Sequence, residues 1–111
     1  MIEEIIIKHL IDNGYYNASA EVPAYDCDEY IVVEKTGSND SNYIKRATVA
    51  IQSYSISLYK AACLNEKIKE TMQKLIEKDE ISRVKLNSDY NFTDTQKKKY
   101  RYQAIYEITY Y

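Results

Sequence analysis

From Lys45 to Ser53 apolar and polar side chains alternate, with Ala47, Val49 and Ile51 on one parity and Arg46, Thr48 and Gln52 on the other. A period of two predicts a strand with one face turned inward. The pattern then changes. From about Ser55 to about Lys78 the apolar residues Ala61, Leu64, Ile68, Met72, Leu75 and Ile76 recur at spacings of three and four. That is one stripe of a long helix, with Glu66, Lys67, Lys69, Glu70, Gln73, Lys74 and Glu77 opposite. Ser55 or Ser57 is placed to cap its start, and Lys74 and Lys78 suit the negative end of the helix dipole.

The remaining segments are read in the same way. Ile2, Ile5, Ile6 and Leu10 predict a short helix over residues 2–12, closed by Asn13-Gly14 with Gly14 as the left-handed cap residue. Val22 to Tyr25 is expected to open a short edge strand containing Pro23, and 26–29 a turn. Tyr30 to Lys35 (YIVVEK) is apolar and β-branched, a strand. Thr36 to Asn42 (TGSNDSN) carries the strongest loop signal in the chain. Ile81 to Leu86 predicts a strand, Asn87 to Thr95 a polar turn-rich segment, and Gln96 to Tyr111 a final strand. In that strand Tyr100, Tyr102, Ala104, Tyr106, Ile108 and Tyr110 alternate with Arg101, Gln103, Glu107 and Thr109. The expected fold is α+β. It is a single two-layer domain over 1–111, with a mostly antiparallel four-stranded sheet packed by one short N-terminal helix and one long central helix.

Composition adds assembly to this picture. The chain of 111 residues has 13 Tyr, one Phe and no Trp, with only two Gly and one Pro. Tyrosine joins an apolar body to a polar tip and suits half-buried sheet faces and subunit contacts. A long terminal strand of alternating aromatics is an aggregation hazard unless helices or partner chains cover it. The formal net charge of −2 gives no bulk attraction to nucleic acid or anionic membrane. No apolar run reaches the roughly 20 residues that span a bilayer, and the acidic, amphipathic opening is unlike a signal peptide, so a cytosolic site of synthesis is expected. Cys27 and Cys63 lack metal spacing and read as free, partly buried thiols.

Catalytic and ligand motifs fail on inspection. His9 is the only histidine and has no nucleophile or carboxylate at motif spacing, so it reads as a surface or flanking residue. Asp26, Asp28 and Glu29 supply cation-type oxygens but lack the Gly and spaced Glu of a calcium loop. The KKKYRY run at 97–102 interleaves basic and aromatic residues, but on a strand the two kinds fall on opposite faces. Thr36–Asn42 lacks the Lys of a phosphate loop, and the sequons at Asn17 and Asn91 have no secretory context. No enzyme activity and no cofactor or metal are expected.

The succession EYIVVEKTGSNDSNYIKRATVAIQSYS, a long helix, then VKLNSDYNFTDTQKKKYRYQAIYEITYY resembles the tail-terminator (tail-completion) proteins of tailed bacteriophages and phage-derived particles of Gram-positive hosts. The resemblance covers most of the chain and implies a hexameric ring in the neck region of a virion tail, assembled in the host cytoplasm. Such a ring caps the head-proximal end of the tail tube and joins it to the head-completion complex. In contractile particles it also meets the sheath. It implies no enzyme activity. Six copies would carry about −12, which suits a lumen that DNA passes through without specific binding. The family has no active site to transfer. Contacts are therefore placed by inference on Thr36, Gly37, Ser38, Asn39 and Asp40, and on the tip and strand residues Asp89, Tyr90, Asn91, Phe92, Tyr100, Tyr102, Tyr106, Tyr110 and Tyr111. A head-closure or tail-tube component and a small nucleic-acid-binding module using Lys97, Lys98, Lys99 and Arg101 are the alternative expectations.

Overall fold

The first helix, α1 (Ile2–Asp12), forms where the i, i+4, i+8 spacing of Ile2, Ile6 and Leu10 buries one stripe completely. Glu3 and Glu4 lie in its first turn, where the dipole favours acid. Gly14, at φ +97, lets the chain turn away after Asn13. The computed structural model describes residues 1–24, 27–41, 43–94, 96 and 99–111. After α1 come β1 (Ala18–Ser19), β2 (Tyr30–Ser41), β3 (Ile44–Ser55), α2 (Leu58–Gln73) with a 3-10 turn at Lys74–Glu77, β4 (Ile81–Asn91) and β5 (Tyr100–Tyr110).

The domain is α+β; the described residues form a five-stranded sheet in the order β1-β2-β3-β5-β4 and two α-helices. All neighbours are antiparallel except β1, which runs parallel to β2 at Ile31 and Val32. The expected four-stranded sheet is therefore extended by one two-residue strand. That strand is not at the expected place: Val22, Pro23 and Ala24 are outside any strand, and Tyr25 lies outside the described residues. Since β3 and β4 are each antiparallel to β5, they run in the same direction, with α2 connecting them and β5 inserted between them.

Cross-strand partners share a face, so the register divides the sheet into rows. One face carries Val33, Ile51 and Ala104 in one row, Val49 and Tyr106 in the next, then Ala47, Ile108 and Val84. These pack with Ile2, Ile6 and Leu10 of α1 and Leu64, Ile68 and Met72 of α2 in one core. Ser57 caps α2, its hydroxyl accepting from the Lys60 amide at 3.1 Å. Of the predicted stripe, Ala61, Leu64, Ile68, Met72 and Leu75 are buried, but Ile76 is exposed. The helix changes to the tighter 3-10 winding at Lys74, which rotates Ile76 off the stripe. His9 is also a correction. It is buried, and its Nε2 donates to the Thr71 carbonyl at 2.8 Å, fastening α1 to the last turns of α2.

The largest correction concerns Thr36–Asn42. Thr36 to Ser41 is strand, paired with Ile44–Thr48 after a register shift between Lys35 and Gly37. Asn42 lies outside the described residues. Residues of low strand propensity are held extended here by the ladder to β3. The same holds for Asn87–Asn91, which extends β4 beyond its predicted end at Leu86. The final strand starts at Tyr100, four residues later than expected.

Ile68 is fully buried in the middle of the stripe against the sheet. Ile68→Asp is expected to cost more than about 4 kcal/mol, because an unpaired carboxylate would replace a packed side chain. Urea unfolding followed by circular dichroism should show loss of the native baseline at ambient temperature.

Candidate interaction surfaces

Both described helices pack on one face of the sheet, so the other face carries no described helix. Its rows read Tyr30, Tyr54 and Arg101; Val32, Gln52, Gln103 and Tyr90; Glu34, Ala50, Ile105 and Ser88; Gly37, Thr48, Glu107 and Lys85; Asn39, Arg46, Thr109 and Arg83. The expectation for β3 was one inward face. The structure also buries Ala50, Gln52 and Tyr54 on the second face, by contact with their own cross-strand neighbours.

The first two rows are strongly bonded. Tyr30 and Tyr54 stack with centroids 4.4 Å apart, and Cys27 packs on them. The Arg101 guanidinium lies 4.4 Å from the Phe92 ring centre and 5.4 Å from that of Tyr54. Its Nε donates to the Phe92 carbonyl at 2.8 Å, and one terminal nitrogen donates to the Tyr54 hydroxyl. Tyr90 meets Phe92 edge to face. Tyr54 of the first row donates to Gln52 at 3.1 Å, and along the second row Gln52 donates to Gln103 at 3.0 Å and Gln103 to the Tyr90 hydroxyl at 2.6 Å. This chain of amides and phenols crosses three strands. Burial first, then the neighbouring Tyr54, raises the pKa of Tyr30 above its ordinary value.

This geometry bears on one residue of the basic segment. Arg101 is a candidate phosphate contact by sequence, but its Nε and one terminal nitrogen donate within the protein, and its guanidinium lies over the Phe92 and Tyr54 rings. Lys99 is exposed, while Lys97 and Lys98 lie outside the described residues.

The far end of the same face is a groove of about 660 Å³ lined by Gly37, Asn39, Ile44, Arg46, Thr48, Arg83, Glu107 and Thr109, among others. Arg46 and Arg83 flank Thr109 there and form no ion pair with another described residue. At the adjacent hairpin tip Tyr43 sits at φ +68 and is 97% exposed. A bulky residue in the left-handed region carries backbone strain of about 1 kcal/mol or more.

The predicted contact residues thus divide between the two ends of the sheet. Thr36, Gly37, Ser38, Asn39 and Asp40 are exposed along the last half of β2. Ser38 and Asp40 share a second groove with Tyr110, Tyr111, Met1 and Ile5 on the helix side. Asp89, Tyr90, Asn91 and Phe92 lie at the opposite end, near half-buried Tyr100 and Tyr102. Tyr106 is corrected: only 2% exposed, it is a core residue and has no surface to offer. Asp89 is held by Asn65 Nδ2 and Lys69 Nζ, each at 3.0 Å, and Lys69 also meets Glu66 at 2.9 Å. These bonds to Glu66 and Asp89 raise the Lys69 pKa. Sequence reading missed Tyr43, Arg46, Arg83 and the Tyr30–Tyr54–Arg101 cluster. Only the row register, which needs the pairing, brings the last three together.

Chemically the described surface is sparse. No group of three or more described His, Cys, Asp or Glu is placed to hold a metal. Asp26 of the acidic run lies outside the described residues, and Asp28 and Glu29 are exposed. Cys27 and Cys63 are free and half-buried, as expected. Asn17 of the first sequon donates to Cys27 Sγ and to the Glu29 carbonyl. No described helix is long and apolar enough to cross a membrane.

The Tyr106 hydroxyl is buried with no described partner. Burial, then the fields of Asp89 and Glu66, push its pKa well above the ordinary phenol value. The folded state therefore keeps this phenol neutral, while the unfolded chain ionises it above about pH 10, so this group lowers stability as pH rises past that point. Tyr106→Phe is expected to raise stability at pH 7 by about 1 kcal/mol, by removing an unpartnered hydroxyl. It should also lose less stability than the parent between about pH 9.5 and 11. Paired urea titrations across that range check both outcomes.

No protein-family model matches the chain, and no curated protein sequence matches it.

Proposed function

We propose that this chain is a structural subunit that assembles with copies of itself, of the tail-terminator type, and works without catalysis. The observation that carries the reading is the openness of the sheet. Its helices cover one face, the other is free of helices, and both lateral margins are largely unpaired among the described residues. Such margins in a protein of this size call for partners. The subunit is also elongated, 44 Å by 25 Å by 24 Å, with hairpins at both ends of the long strands.

The sequence resemblance supplies the particular assembly: a ring on the head-proximal end of a tail tube, joined to a head-completion protein and, in a contractile particle, to sheath. The tube and neck would meet the two ends of the sheet, where the exposed residues of Thr36–Asp40 and Asp89–Phe92 lie. The arrangement favours this reading over a nucleic-acid module, because Arg101 is already bound within its own subunit.

Light scattering and negative-stain microscopy of the purified protein should show closed rings of uniform copy number. Loss of the gene in its particle should give over-long tail tubes. Absence of tubes would point to a tube component, and a strictly monomeric protein that never associates with tubes would remove the proposal.

A further inference from the structure

We propose that neighbouring copies join edge to edge, the outer edge of β4 in one copy pairing antiparallel with the free half of β2, Glu34 to Ser41, in the next. This rests on the assembly reading above and assigns its interface.

Backbone supply comes first. On its outer side β2 is paired only at Ile31 and Val32, by β1, and the outer side of β4 has no described strand. Each edge therefore offers a row of unpaired amides and carbonyls. The eight residues of the β2 segment span roughly 26 Å, long enough for a full ladder.

Direction comes second. β2 is antiparallel to β3, β3 to β5 and β5 to β4, so β2 and β4 run in opposite senses. A second copy moved sideways without being turned over lays its β2 antiparallel to the first copy's β4. The helices of both copies then stay on one side. This contact is heterologous: it leaves one edge open at each end and propagates until it closes as a ring.

Charge chooses between this pairing and the like-with-like alternatives. On the helix-free face the β4 edge carries Arg83 and Lys85, and the β2 edge carries Glu34. None of the three forms an ion pair with another described residue, and among the described residues Glu34 accepts one long hydrogen bond, 3.4 Å, from Gln52 Nε2. Two β4 edges would bring basic residues together, whereas β4 against β2 brings base to acid. A register that continues the rows sets Glu34 beside Ser88, diagonal to Lys85 and within its reach. On the helix side the same register lays the Lys35 stem over Leu86, which is 39% exposed in the single subunit.

The test is a charge exchange in the full chain. Glu34→Lys and Lys85→Glu are each expected to weaken assembly on the order of tenfold or more, read by light scattering across a concentration series. The double variant E34K/K85E should recover it. Both positions are exposed, and an unchanged circular-dichroism spectrum of the single variants confirms that the subunit fold is intact. If the parent assembles and the exchange has no effect, or the double variant fails to recover, the edge assignment is overturned while the assembly reading stands. If the parent is monomeric at every concentration, both fall.

Discussion

Burial of one sheet face beneath α2 is the interaction on which the rest depends. Val49, Ile51, Ala104, Tyr106 and Ile108 are all nearly inaccessible, and Leu64, Ile68 and Met72 close over them. Each large apolar side chain buried there contributes about 1.5–3 kcal/mol before the entropy of ordering is subtracted. The β3–β5 ladder lies at the centre of the sheet and takes its register from this burial, because a one-residue slip would turn the whole set outward. With the centre fixed, β2 and β4 are held against it, and polar residues that would otherwise favour turns are kept extended.

The cost of this arrangement is visible in the interior. The Ser53 hydroxyl, the Asn65 carbonyl oxygen and the Tyr106 hydroxyl are buried without described partners. The Asn65 amide, by contrast, reaches Asp89, which Lys69 also holds. That cluster ties α2 to the edge strand β4 through charge-assisted bonds, where apolar contact is thin. The far end of α2 is tied differently, by the His9 bond to the Thr71 carbonyl. The helices are thus fastened to the sheet and to each other by an apolar stripe on each and by the polar links at Asp89 and Thr71, all on one side.

One-sided packing turns a fold into a surface. The second face satisfies itself locally, with stacked Tyr30 and Tyr54, Arg101 between aromatic rings, and a row of glutamines linked to Tyr90. Its open margins leave backbone groups of β2 and β4 without a described strand to pair with. An assembly subunit uses such margins, whereas a monomer must block them.

Periodicity made both helices, the β3 core residues and the alternation of β5 legible, because each is set by a local repeat that burial then rewards. The free thiols were legible from their separation in sequence. What stayed hidden was non-local. Thr36–Ser41 reads as loop because Gly, Ser, Asn and Asp favour turns, and only hydrogen bonds to β3 make it strand. His9 reads as exposed until α2 supplies the Thr71 carbonyl, and Arg101 reads as a free cation until Phe92 and Tyr54 enclose it. Tyr106 follows its predicted phase but lies beneath α2, so a residue assigned to a contact surface belongs to the core. The sequence by itself determined the main apolar stripe of each helix and the core parity of β3 and β5, since these depend on spacing along the chain. The tertiary structure decided which edges and which face remain open, since that depends on strand order, which no local repeat encodes.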